Sequence, residues 1–258
     1  MPWYRRRRSR ILIVLAAAVT VVLTVAVTIA LTVTTYDHTS PRAARDKASG
    51  SVAGAVDCRK AKCVALTFDG GPSLTTPRLL DILKREHLHA TFFVQGEGHI
   101  GRYPEILRRI SDEGHEIGNH TWNHKILTEI DTDDARQELT RTQNAIEKIT
   151  GTKPILMRPP QGRTDRKVAK VCKELGLAQV LWSVTAKDYE TTDSALIAKR
   201  VLGQTDRDGI ILLHDLHEGT VPAVPGILKA LKQRGYTIVT VSQLLAPAKP
   251  QPGMVYRP

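Results

Sequence analysis

Between Cys63 and Leu245 the chain alternates seven short β-branched or aromatic runs with longer amphipathic segments. The runs cover residues 64–68, 90–95, 115–118, 155–158, 179–184, 210–214 and 237–241. Apolar stretches of this length bounded by turn residues read as strands, and the periodic segments between them read as helices. Thr76-Pro77 and Tyr103-Pro104 mark two helix starts, because proline suits a first helical turn and lacks only a donor that would be unpaired there. Strand, helix, strand repetition implies parallel pairing with helices outside. An open doubly wound sheet and a closed barrel both satisfy that rule, and seven units favour the barrel. The expected fold is therefore α/β, an irregular seven-stranded, TIM-like (β/α) barrel.

In such barrels chemistry gathers at the carboxyl ends of the strands. Asp69 ends the first run, and His120 and His124 follow the third. Arg158 ends the fourth, Asp188 follows the fifth and His214 ends the sixth. His120 and His124, four positions apart, fall on one side of a helical or tightly coiled turn, a spacing that suits one divalent ion. Any of these residues alone reads equally well as a turn former or a solvated rim charge. All of them on one rim point to a site.

The flanks differ in kind. Arg5 to Arg8 and Arg10 precede an uncharged apolar run over 11–33, whose 23 residues are long enough to cross a bilayer as a helix. A cleaved secretory signal has a shorter apolar core and a small-residue cleavage site. The expectation is thus a cytoplasmic basic segment at 1–10 and an uncleaved single-pass anchor at 11–33, placing the rest outside the cell. Residues 34–60 read as a flexible linker, 61–246 as the folded domain and 247–258 as a proline-rich tail. Of the net charge of +11, about +6 remains beyond Asp57, which suits anionic surroundings. Aromatics are 5% of the chain and do not interleave with a basic stripe, so nucleic acid is not an expected partner. A monomer is expected. Cys58 and Cys63 either form a small disulfide in an oxidising compartment or are two unrelated thiols.

Five motifs, in order, resemble those of the polysaccharide deacetylases, carbohydrate esterase family four, over about 62–245. Thr67-Phe68-Asp69-Gly70-Gly71-Pro72 resembles T-F-D-D-G-P, and His120-Thr121-Trp122-Asn123-His124 resembles H-[ST]-x-x-H. Arg158-Pro159-Pro160-Gln161-Gly162 is similar to R-P-P-Y-G, the segment 182–189 to one ending in D-W, and Leu212-Leu213-His214-Asp215 to an L-x-H close. The resemblance implies metal-dependent deacetylation of N-acetylglucosamine polymers, peptidoglycan or chitin-like, or of O-acetyl xylan, with zinc a frequent ion. It implies His120 and His124 as metal ligands, Asp69 as general base and Arg158 as the group that aims it. His214 would be the general acid, oriented by Asp188. The backbone N–H of Gln161 would meet the oxyanion, and Leu212 would line the acetyl pocket with Tyr189 and Trp182 beside it.

The pattern breaks where the second acid of T-F-D-D-G-P, the third metal ligand, is Gly70. Either Asp69 or a loop carboxylate completes the sphere, or two imidazoles hold the ion with water. Gln161 replaces Tyr, Tyr189 replaces Trp and Thr185 replaces Asp. Two readings follow: an active deacetylase of cell-wall glycan, and a pseudoenzyme that binds glycan without turnover.

Overall fold

The computed structural model describes residues 36–50 and 56–258. The apolar run expected to span a membrane, 11–33, lies outside them, as does the basic segment 1–10. Among the described residues no helix is long and apolar enough to cross a membrane. The segment read as a flexible linker is ordered over 38–47: His38–Thr39 is a strand (β1) and Pro41–Lys47 a helix (α1). The Ser40 hydroxyl caps α1 by accepting from the Ala43 N–H, and Pro41 occupies its first turn. Arg45, 1% exposed, then pins the helix to Asp208 through bonds of 2.7 and 3.1 Å. The docking rests on a buried charge pair, which leaves no apolar periodicity to read.

The chain continues through β2 (Lys62–Asp69), α2 (Thr76–Arg85), β3 (Thr91–Val94), α3 (Pro104–Asp112) and β4 (Glu116–Asn119). Next come α4 (Thr132–Thr150), β5 (Leu156–Met157), α5 (Arg166–Glu174), β6 (Ala178–Val180), β7 (Val184–Thr185) and α6 (Ser194–Gln204). It closes with β8 (Ile210–His214), α7 (Thr220–Gln233), β9 (Tyr236–Val239), α8 (Val241–Leu245) and β10 (Val255–Tyr256). The caps explain the helix ends. Asp131 accepts from the Asp134 N–H at the start of α4, Gly151 takes the left-handed φ of 72° past its end, and Thr240 with Gln243 forms a capping box on α8.

The sheet is parallel throughout, in the order β1-β10-β6-β5-β4-β3-β2-β8-β7, with β9 also paired to β2. Among the described residues ten strands replace the seven expected, for two reasons. The run over 179–184 breaks into β6 and β7, and the two-residue strands β1 and β10 are too short to carry an alternating pattern. The strand path curls as a half-barrel: β1 and β7 end it without pairing to each other among the described residues. The proline-rich tail is not separate from the fold, since Val255 and Tyr256 fit between β1 and β6. Tyr256 is buried and its hydroxyl accepts from the Gln251 N–H.

β2 is central because its seven residues from Cys63 to Asp69 are all buried. Its first half pairs with β9 and its second with β8. Leu66, Phe68, Phe92 and Val94 pack outward against α2, α3 and α7, a continuous apolar layer that holds strands and helices in register. Cys58 and Cys63 are bridged at the start of β2.

Candidate active site

The strand register brings the first and last candidates together. Asp69 and His214 are direct partners across the β2–β8 pair, so their side chains leave adjacent strand ends. A cavity of about 690 Å³ opens there, bordered by Asp69, His120, His124, Gln161, Leu212 and His214, with Tyr189 at its rim. Arg158 and Asp188 stand behind the first and last of these. These nine residues, with Trp182 on the cavity wall as the tenth expected from sequence, are thus gathered at one place.

On one side Arg158, completely buried, donates from Nη1 to Asp69 Oδ1 and to Thr67 Oγ1, both at 2.7 Å. Its Nε donates to the Val180 carbonyl at 3.0 Å, and its guanidinium lies 4.2 Å from the centre of the Phe93 ring. Four anchors leave the guanidinium one position, which fixes one carboxylate oxygen of Asp69. Burial pushes Arg158 below its ordinary value, against the charge and hydrogen bond of Asp69.

His120 and His124 follow β4 on a coiled turn rather than a helix, with Thr121 at φ 66° and His124 at φ 57°. Their ring centres are 4.9 Å apart. His120 Nδ1 donates to the Arg158 carbonyl at 2.8 Å, which turns Nε2 toward Asp69 Oδ2, 4.0 Å away. Burial lowers the His120 imidazole to about 4 and also lowers that of His124. Both rings are therefore neutral near pH 7, the form that ligates metal. The turn is held from below by Glu138 on α4, whose Oε2 accepts the N–H groups of Trp122 and Asn123 at 3.0 and 2.7 Å. Asn119 adds a bond from the Thr121 N–H. Sequence offered no signal for Glu138, which reads as one more charge on a helix.

On the other side Asp188, 2% exposed, accepts three bonds: from His214 Nδ1 at 2.8 Å, and from the His214 N–H and Thr220 Oγ1 at 2.7 Å each. Burial alone would raise the Asp188 carboxyl, yet His214 and Thr220 together hold it below its ordinary value. Burial alone would lower His214, yet Asp188 outweighs it and holds the imidazole above 6.5. One nitrogen is committed to Asp188, so Nε2 is left for proton transfer.

Gln161 takes the left-handed φ of 56° in a turn between Pro160 and Gly162. Leu212 is 5% exposed. Tyr189 is 58% exposed, its ring edge-on to His214 at 6.0 Å. Two further histidines lie in different surroundings. His115 packs against Phe92, away from the cavity, while His217 lines it, its ring centre 5.3 Å from that of His214. Asp215 was not singled out by sequence. It is buried behind Gly71, hydrogen-bonded to Thr76, and burial raises it to about 6.

Comparison with known proteins points to a family. The family model described as polysaccharide deacetylase matches residues 57–180. The peptidoglycan-N-acetylglucosamine deacetylase PgdA of Listeria monocytogenes is 39% identical over 184 residues, 71% of this chain. The chain spans only about two fifths (39%) of that relative's length. A peptidoglycan-N-acetylglucosamine deacetylase of Bacillus cereus is 37% identical over 190 residues, covering 71% of this chain and 88% of its own length. The solved structure of T48 deacetylase with substrate superposes with a TM-score of 0.75 at 41% identity, covering 79% of this chain and 100% of that one. On sequence and architecture alike, this chain belongs to the polysaccharide deacetylase family.

Proposed function

We propose that this chain hydrolyses acetyl groups from N-acetylated cell-wall glycan, with peptidoglycan as substrate and a divalent cation, zinc, as cofactor. The observation that carries the reading is the pairing at two adjacent strand ends: a carboxylate aimed by Arg158 and an imidazole kept protonatable by Asp188. The named substrate of the relatives, peptidoglycan N-acetylglucosamine, supports the choice of polymer.

The donor types suit such an ion; among the described residues they do not form a group of three placed to hold one. Two imidazoles whose tautomer or position is fixed by outer partners, next to a carboxylate, are the ligand types zinc takes. His120 and His124 would hold it, and when bound it supplies Lewis acidity toward the acetyl carbonyl and the attacking water. Asp69 accepts a proton from that water as the new C–O bond forms, and Arg158 keeps the carboxylate aimed. The Gln161 N–H stabilises the oxyanion. His214 then gives its Nε2 proton to the nitrogen as the C–N bond breaks, because an amine anion is too poor a leaving group to depart alone. Acetate and a free amine on the sugar are the products. Leu212 and Tyr189 provide the apolar surface against which the methyl group rests. The same reading puts the catalytic unit outside the cell on an anchor formed by 11–33, where its substrate lies.

One observation, Gly70 in place of an acid, favours a second reading: glycan binding without turnover. The full chain in detergent, given N-acetylglucosamine oligomers and muropeptides, separates the two. Acetate release that chelator abolishes and zinc restores is the expected result. Retention of glycan with no acetate under any divalent ion would overturn it.

A further inference from the structure

The pairing of β2 with β8 ends at Asp69 and His214, their last register partners. Beyond them the chain departs in two directions, through 70–75 into α2 and through 215–219 into α7. One residue ties the two departures together. Ser73 Oγ donates to the Asp215 carbonyl at 3.0 Å, Thr75 Oγ1 donates to the same oxygen, and Thr76 Oγ1 donates to Asp215 Oδ2. The Ser73 N–H donates to Thr76 Oγ1 at 2.7 Å, so that hydroxyl accepts on one side and donates on the other. Three hydroxyls that follow Asp69 thus converge on the residue that follows His214. The meeting point is dry: Asp215 and Thr76 are both 0% exposed, and a Cβ on Gly71 would collide with both carboxylate oxygens. Hydrogen bonds in such surroundings are stronger than in water.

The segment gripped in this way is short, and both its ends matter. His214 and Thr220 are the donors that Asp188 receives, and 215–219 is all that separates them. Leu216 and His217, within it, line the cavity. Ser194 Oγ donates to the Gly219 carbonyl at 2.8 Å, so the segment is held at its far end from α6 and at its near end from the loop after β2. Without the near tie the backbone after His214 is free to turn. The bond of His214 Nδ1 to Asp188, 2.8 Å long, weakens steeply when its donor swings out of line.

We propose that Asp215 is a positioning residue for the acid: clasped by Ser73, Thr75 and Thr76, it fixes the backbone on which His214 turns and so keeps the imidazole paired with Asp188. The proposal rests on the reading of His214 as proton donor given above. Acceptor geometry carries the role, and charge does not. Asp215 Oδ1 is buried with no hydrogen-bond partner among the described residues, and burial raises the carboxyl to about 6. Asparagine, neutral and of the same shape, would keep an oxygen for Thr76.

NMR titration of the His214 imidazole in the full chain, in detergent, tests this, with the signal identified by its loss in His214→Gln. Its value is set by burial against Asp188 and Asp69, with Arg158 opposing them. Asp215→Ala should bring that value down toward 6.5, while Asp215→Asn leaves it in place. Equal lowering in both variants would mark a charge effect and overturn the proposal, as would no change in Asp215→Ala. Should the alanine variant fail to fold, Ser73→Ala combined with Thr75→Val strips both hydroxyls from the carbonyl and leaves the carboxylate untouched. It should lower the value in the same direction, and an unchanged value overturns the proposal. In turnover, Asp215→Ala should lose at least about tenfold in kcat at unchanged KM, part of the ~10²–10⁴-fold that a positioned acid is worth, and asparagine should restore it. The titration needs no turnover, so an unaltered chain that releases no acetate sinks only the hydrolytic reading. A His214 value indifferent to the clasp in a chain that does release acetate sinks only this proposal.

Discussion

Two buried arginine–aspartate pairs lie at opposite ends of the same strands, and they are finished differently. At the floor, where β2 and β8 begin, Arg45 meets both oxygens of Asp208, and Arg42 and Arg207 stand within 3.6 and 3.7 Å. At the rim Arg158 meets one oxygen of Asp69 and leaves the other facing an imidazole. Burial would lower Arg45, but Asp208 outweighs it and the guanidinium sits above its ordinary value; at Arg158 burial wins. A fork satisfied on both prongs is a clamp. A carboxylate held by one oxygen is oriented and still has bonding capacity, which is what a reacting group needs.

The strongest way to break this contrast is the same substitution at both places. In Asp69→Asn, turnover by the folded protein should fall about 10²- to 10⁴-fold, the usual worth of a positioned base, measured as acetate release. In Asp208→Asn, unfolding free energy should drop by at most about 3–5 kcal/mol, because buried Arg45 loses its two-pronged partner and keeps only the half-exposed Asp46, while turnover of the folded fraction stays unchanged. Denaturant titration with parallel assays decides both, and turnover lost in Asp208→Asn would erase the distinction between floor and rim. Replacing Cys58 and Cys63 together by Ser should cost about 2 kcal/mol, since the loop they close is short, again with turnover unchanged. The mildest test alters only pH. His214 acts when protonated and its value lies above 6.5, so the rate should persist through pH 6.5 and decline as pH rises through the raised value. In Asp188→Asn the declining limb should move to lower pH, and a limb that stays put would remove His214 as the acid.

Much of the rim was legible because each residue there ends or follows a short β-branched run, a local signal, and parallel topology then dictates that such ends converge. His120 and His124 could be singled out by their spacing taken together with the other strand-end residues, even though the turn that carries them is not helical. The floor was not legible. Arg45 looks like any charge in a polar stretch, and its partner is 163 residues away. Glu138 escaped for the same reason, since its work is to accept two backbone N–H groups from a turn more than a dozen positions earlier. Strands of two residues, β1 and β10, borrow their stability from neighbours and leave too few side chains to form a pattern.

The pairing of β1 with β10 gives the fold a grip on its own ends. His38 and Val255 are register partners in a parallel pair whose other neighbour is β6. A pull applied through the residues that precede β1 would load those strands lengthwise, and it would enter at the side of the sheet opposite the cavity mouth. Tension so applied would meet the Arg45 clasp, the edge strand β1 and its inner neighbour β10 before the rim.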